Sequence, residues 1–139
     1  MAKKVQVKWL GKRQFVGIDD TKHSVVMSSA DEENGIGMSP SQLLLVGLGG
    51  CTSYDVIDIL HKKRQRITSL EVVVTGDQDE DPPWTYRKIH IHYTFTGKKL
   101  NEKSIKDAII LSEEKYCSVA ATVRNTADIT FEYTIREDE

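Results

Sequence analysis

The chain has 139 residues, the size of one domain, and 29% of them are charged with signs that nearly cancel to a formal net charge of −2. That balance argues against a general nucleic-acid binder and against a polybasic membrane clamp. The longest uninterrupted apolar-plus-glycine run, Leu43 to Cys51, falls far short of the roughly 20 residues of a spanning helix, and Met1-Ala2-Lys3-Lys4 leads into no signal-peptide core, so no membrane partner and a cytoplasmic location are expected.

Residues Lys3 to Leu10 alternate, with Val5, Val7 and Trp9 on one side, which predicts a half-buried strand. Gln14 to Ile18 and His23 to Ser28 predict a hairpin around Asp19-Asp20-Thr21-Lys22, and the polar stretch Asp31 to Gly37 predicts a loop. Ser39-Pro40-Ser41-Gln42 is a helix start: Ser39 can cap, Pro40 suits the first helical position, and Gln42 completes a capping box. The helix is expected to reach about Arg66, with Lys62, Lys63 and Arg64 suiting the negative end of its dipole. Its first half, Leu43 to Cys51, is apolar or small on every face, the pattern of a helix surrounded by protein. Gly47, Gly49 and Gly50 each cost on the order of 1 kcal/mol relative to alanine, which implies that another helix or a second subunit approaches the backbone.

Beyond the helix, Ser69 to Thr75 predicts a strand with Leu70, Val72 and Val74 on one face. An acidic turn, Asp77 to Pro83, precedes a long returning strand, Trp84 to Thr96. Asn101 caps an amphipathic helix whose expected buried stripe is Ile105, Ala108, Ile109, Ser112 and Tyr116. Ser118 is expected to cap a further short helix to about Arg124, with Asn125 ending it in the left-handed conformation. In the closing strand Ala127, Ile129, Phe131, Tyr133 and Ile135 face inward. This order predicts an α+β fold, with a mainly antiparallel sheet and a long buried central helix, in a single domain over residues 1–139.

Two cysteines in a reducing compartment suit a transient catalytic disulfide better than a permanent one, and they are too few for a four-cysteine zinc site. Cys51 falls midway along the long helix, beyond the reach of the helix dipole, so a thiolate there needs a cation from elsewhere in the fold. Cys117 falls where the short helix begins, among free backbone N–H groups that favour a negative sulfur. On placement alone either is a candidate nucleophile.

The local sequences are more specific. Ser39-Pro40-Ser41-Gln42-Leu43-Leu44-Leu45-Val46-Gly47-Leu48-Gly49-Gly50-Cys51-Thr52 resembles the motif of the OsmC/Ohr family, in which a proline-started helix runs through small residues to a peroxidatic cysteine. Glu114-Lys115-Tyr116-Cys117-Ser118-Val119 is similar to the family's resolving-cysteine segment. The resemblance covers essentially the whole chain. It implies an intertwined homodimer with two sites at the subunit interface, and a peroxidase acting on organic hydroperoxides in oxidative-stress defence. It further implies a Cys51 sulfenate, a Cys51–Cys117 disulfide, reduction by an external dithiol, and no cofactor. The family's activating arginine from the N-terminal strands matches Arg13, the only arginine before the central helix.

One position departs from the Ohr branch, where a glutamate follows the proline; here Ser41 stands there, which favours the broader OsmC-like branch. Glu113 or Glu114 is a substitute carboxylate, or simply the exposed face of a helix. His90 and His92 share a strand face with Lys88 and Thr94, and with no third ligand in view they read as a solvent-facing surface rather than a metal site. The alternative function is a non-catalytic dimeric binding or carrier module with an apolar interface pocket.

Overall fold

The alternating N-terminal segments form three strands, β1 (Val5–Gly11), β2 (Gln14–Asp19) and β3 (Ser24–Ser28), in one antiparallel sheet in that order. The computed structural model describes Met1–Glu139 and divides them into two compact units, Met1–Leu44 and Leu45–Glu139. The β2–β3 hairpin turns where the sequence places it: Asp19 Oδ1 accepts the Thr21 and His23 backbone N–H groups at 2.9 and 2.8 Å. One expectation for this unit fails. The apolar face of β1 is not half-buried, since Val5 and Trp9 are 72% and 69% exposed. Period-two alternation shows which side of a strand is apolar, but not what covers it.

Helix α1 spans Pro40–Lys62 and begins as the capping box predicts, with the Ser39 hydroxyl accepting from the Gln42 N–H at 3.3 Å and donating to Gln42 Oε1 at 2.8 Å. It stops four residues short of Arg66. Gln65 N–H bonds the Leu60 carbonyl, Arg64 N–H bonds the His61 carbonyl, and Arg64 takes a left-handed φ of 57°. This is a Schellman ending built on arginine instead of glycine. By length and composition α1 is long and apolar enough to cross a membrane, a measure that core helices also meet. Leu48, Thr52, Val56 and Leu60, spaced by four, form its buried stripe. Within a single copy of the chain the Leu43–Cys51 stretch is covered on one face, with Leu44 and Val46 43% and 51% exposed on the others. The close neighbour at Gly49 is a strand, with Val74 Cγ2 only 2.9 Å from where a Cβ would stand, while Gly47 and Gly50 face open space.

In the second unit β4 (Arg66–Gln78) and β5 (Tyr86–Lys98) form an antiparallel hairpin, β4 longer than the alternation predicts and β5 of the expected length but displaced two residues toward the C-terminus. Trp84 belongs to the turn, with φ 54°. β6 (Asp128–Glu137) pairs with β5 in parallel, the connection running through helices α2 (Glu102–Leu111) and α3 (Ser118–Val123) as a parallel crossover requires. Ile89, Ile91, Tyr93 and Phe95 of β5 point inward onto Leu48, Val56 and Leu60 of α1 and Ile105 and Ile109 of α2, giving one core. The predicted inward residues of the last strand all belong to or pack on it.

Between α2 and α3 the chain makes a π-helical turn, Ser112–Tyr116. The extra residue in that turn breaks the 3.6-residue stripe: Ser112 is buried, but Tyr116 swings out to 53% exposure. Cys117 N–H instead closes back on the Ser112 carbonyl at 2.7 Å, and Cys117 turns into the core. Asn125 is not left-handed; α3 ends at Val123 and Thr126 and Ala127 both bond the Val123 carbonyl.

Candidate active site

Two elements bring the thiols together. Cys51 sits on α1 directly after the Gly47-Leu48-Gly49-Gly50 stretch, half-buried, and Cys117 is buried just before α3. Both are free thiols, and their sulfurs and a carboxylate oxygen of Asp55 all lie within 4.8 Å of one another. Asp55 follows Cys51 by one helical turn and so lies on the same face. The Ser112 hydroxyl anchors it, standing 3.0 Å from Asp55 Oδ2 and 3.2 Å from the Thr52 carbonyl.

Cys117, not Ser118, caps α3: its Sγ accepts the Ala120 N–H at 3.3 Å. Ser118 is displaced to the first helical position, and its hydroxyl stands 4.0 Å from the Cys51 sulfur. The last groups before and within the first turn of α3 thus serve both sulfurs.

The two thiols are electrostatically unequal. Burial acts to raise the Cys51 thiol, but hydrogen bonds from the Cys117 thiol, the Val119 backbone N–H and the Ser118 hydroxyl outweigh it and hold Cys51 below its ordinary value. Asp55, a nearby negative charge, works the other way. Burial pushes Cys117 up to about 12, and the Cys51 sulfur beside it adds to the rise. The site therefore favours a thiolate at Cys51 with Cys117 as its protonated donor. The free N–H groups at Cys117 do not make it the thiolate, because burial acts more strongly there. Behind the pair, the Tyr93 hydroxyl is raised above its usual range by burial beside Thr52.

Glu113, in the π-helical turn, is not on the exposed face of a helix. Burial, and then the neighbouring Glu114, push its carboxyl up to about 7, and its Oε1 has no hydrogen-bond partner. Arg124 Nη1 donates to the Glu113 carbonyl at 3.1 Å. Arg13 lies at the start of the hairpin return in the N-terminal unit and is exposed. Its N–H donates to Asn34 Oδ1 at 3.3 Å and its carbonyl accepts from the Ser29 N–H at 3.2 Å. Sequence reasoning missed Asp55 and Ser112 as neighbours of the thiols. The i, i+4 spacing of Cys51 and Asp55 was the available signal.

Cys51, Cys117 and Asp55 supply donor types that a thiophilic divalent ion accepts, one short of a closed structural zinc site. Fold and geometry together define an α+β protein with two facing, unequal thiols held by a central helix and a helix N-terminus. The chain belongs to the OsmC-like family, whose model, described as "OsmC-like protein", matches residues 16–132. Protein YhfA of Escherichia coli (strain K12) is 33% identical over 130 residues, covering 94% of this chain and 96% of YhfA. The crystal structure of a hypothetical protein from Aquifex aeolicus VF5 superposes with a TM-score of 0.89 at 29% identity, covering 100% of this chain and 99% of that one. An OsmC-like protein from Mycoplasma pneumoniae shares the fold, with a TM-score of 0.85 at 19% identity over 98% of each chain. The fold is shared as well with a protein titled the organic hydroperoxide resistance protein OhrB of Bacillus subtilis, with a TM-score of 0.64 at 17% identity over 96% of this chain and 98% of that one.

Proposed function

We propose that the chain is a cysteine-based peroxidase that reduces organic hydroperoxides, with Cys51 as the peroxidatic residue and Cys117 as the resolving one. The observation that carries this reading is the inequality of two thiols whose sulfurs lie within 4.8 Å of each other. The Cys51 thiolate attacks the peroxide; an S–O bond forms, the O–O bond breaks, and the departing alkoxide takes a proton and leaves as alcohol. Cys51 is then a sulfenic acid. Its negative sulfur has gone, and with it an influence that kept Cys117 protonated. Cys117 sulfur attacks the sulfenic sulfur, an S–S bond forms, and the hydroxyl leaves as water. An external dithiol reduces the disulfide by exchange, in a reducing compartment such as the cytoplasm.

The working form under this proposal is a homodimer. The exposed apolar side chains Val5, Val7 and Trp9 of β1 and Val46 and Tyr54 of α1 supply surface that a second copy would cover. In that assembly Arg13 is the proposed cation for Cys51, its planar fork suited to a thiolate and a peroxide oxygen together. The test is consumption of cumene hydroperoxide and hydrogen peroxide with dithiothreitol as reductant. Faster turnover of cumene hydroperoxide, lost in Cys51→Ser, is expected; no turnover of either peroxide refutes the reading.

A second reading, a non-catalytic binding module, is favoured by one feature. An open groove of about 400 Å³ in the N-terminal unit is lined by Val5, Val7, Ile18, Val25, Met27 and Leu43. Stoichiometric binding of an apolar ligand without peroxide consumption would select it.

A further inference from the structure

We propose that His90, His92 and Glu132 form a binding site for a divalent ion of the zinc, nickel and copper group on the outward face of the β5–β6 pair. From the sequence the two histidines lack a third ligand, because nothing in the local pattern reveals what lies across the strand. The parallel register supplies it. His92 is opposite Glu132, His90 is opposite Thr130, and Thr94 is opposite Thr134. Two strand faces with a period of two therefore interleave His, His and Glu with a threonine at either end.

The side chains converge. Glu132 Oε1 stands 3.0 Å from His90 Nε2 and 3.5 Å from His92 Nδ1, so one oxygen faces a nitrogen from each ring. The other nitrogen of each ring meets a hydroxyl: His90 Nδ1 is 2.7 Å from Thr130 Oγ1, and His92 Nε2 is 2.9 Å from Thr134 Oγ1. Metal-ligating histidines are typically held this way, the outer nitrogen fixed by a hydrogen bond and the inner one free to donate its lone pair. Both rings here have the outer nitrogen held in that way, and both inner nitrogens face a common carboxylate, which a bound ion would join in place of their protons.

Imidazole and carboxylate are the donors that zinc, nickel and copper ions accept. A bound ion would replace the protons now placed between the rings and Glu132, with both nitrogens and a carboxylate oxygen closing to about 2.0–2.2 Å. All three side chains are partly exposed, which leaves coordination positions to water and makes binding reversible. The site is separate from the thiols, since β5 turns Ile91 and Tyr93 into the core on its other face.

The test is titration of the reduced full-length chain with zinc chloride, followed by imidazole ¹H–¹⁵N resonances, which separates this site from metal taken by the thiols. At one further equivalent per chain His90 Nε2 and His92 Nδ1 should shift, while His23 and His61 do not. Glu132→Gln should weaken this response about a hundredfold, and Thr130→Val, which removes only the supporting hydroxyl, about tenfold. These surface substitutions leave the core intact, and retained thermal melting verifies that. A zinc response confined to the thiols, or His90 and His92 shifts unchanged in Glu132→Gln, overturns the proposal.

Discussion

Replacing Cys117 by alanine should raise the Cys51 pKa, whereas replacing it by serine should not. The Cys117 thiol is the foremost influence lowering Cys51, ahead of the Val119 N–H and the Ser118 hydroxyl. A hydrogen bond to a charged acceptor contributes about 1.5–3 kcal/mol. An S–H group is a weak donor and Cys51 is half-exposed to screening water, so the low end, about 1.5 kcal/mol, is the appropriate figure. That corresponds to about a tenfold loss of thiolate at a pH below the titration midpoint. The weaker acid is the better nucleophile, with a Brønsted slope of about 0.4–0.5, so the alkylation rate at neutral pH falls only about threefold. The pH midpoint of iodoacetamide alkylation is therefore the sensitive readout, and Cys51 is the only thiol in either variant. Alanine also removes the sulfur that caps α3, at a cost of about 1 kcal/mol, while serine keeps both cap and donor. Identical midpoints for the alanine and serine variants would refute the role given to Cys117.

Asp55→Asn should move the Cys51 alkylation midpoint downward, because the carboxylate is a charge that raises it; an unchanged midpoint contradicts the geometry. Glu113 titrates at about 7 when folded against an ordinary 4.5, so the folded state holds its proton more tightly. Its contribution is unchanged below pH 4.5, and stability is lost as pH rises through the interval up to about 7. Glu113→Gln should accordingly gain stability over the parent in urea melts at pH 8 relative to pH 4; the same difference at both values argues against it. Gly49→Ala gains about 1 kcal/mol of helix propensity but drives a methyl against Val74 at a cost of about 1–3 kcal/mol, so a net loss in denaturant melts is expected. A net gain would show that β4 yields at that point.

Local chemistry made much of this chain legible in one dimension. The Ser39–Gln42 capping box formed as read, because its partners are three residues apart and need nothing else. Asn101 caps α2 through Ser104 N–H at 3.0 Å for the same reason. Alternation identified the inward faces of β4 and β6, since side-chain direction along a strand follows from backbone geometry alone. The two thiols and the family resemblance were also present in the sequence. Tertiary structure decided the rest. A single extra residue in the π-helical turn sent Tyr116 outward and Cys117 inward, a change of phase that no 3.6-residue pattern contains. Which sulfur is the better thiolate depended on relative burial, and burial comes from α1, β5 and α3 packing together rather than from the cysteines' neighbours in sequence. Glu132 met His90 and His92 only through the register of two strands separated by two helices. Sequence fixes what each short segment can do, because those energies are local; distant segments meet only when burial of apolar surface brings them together, and that is a property of the whole chain.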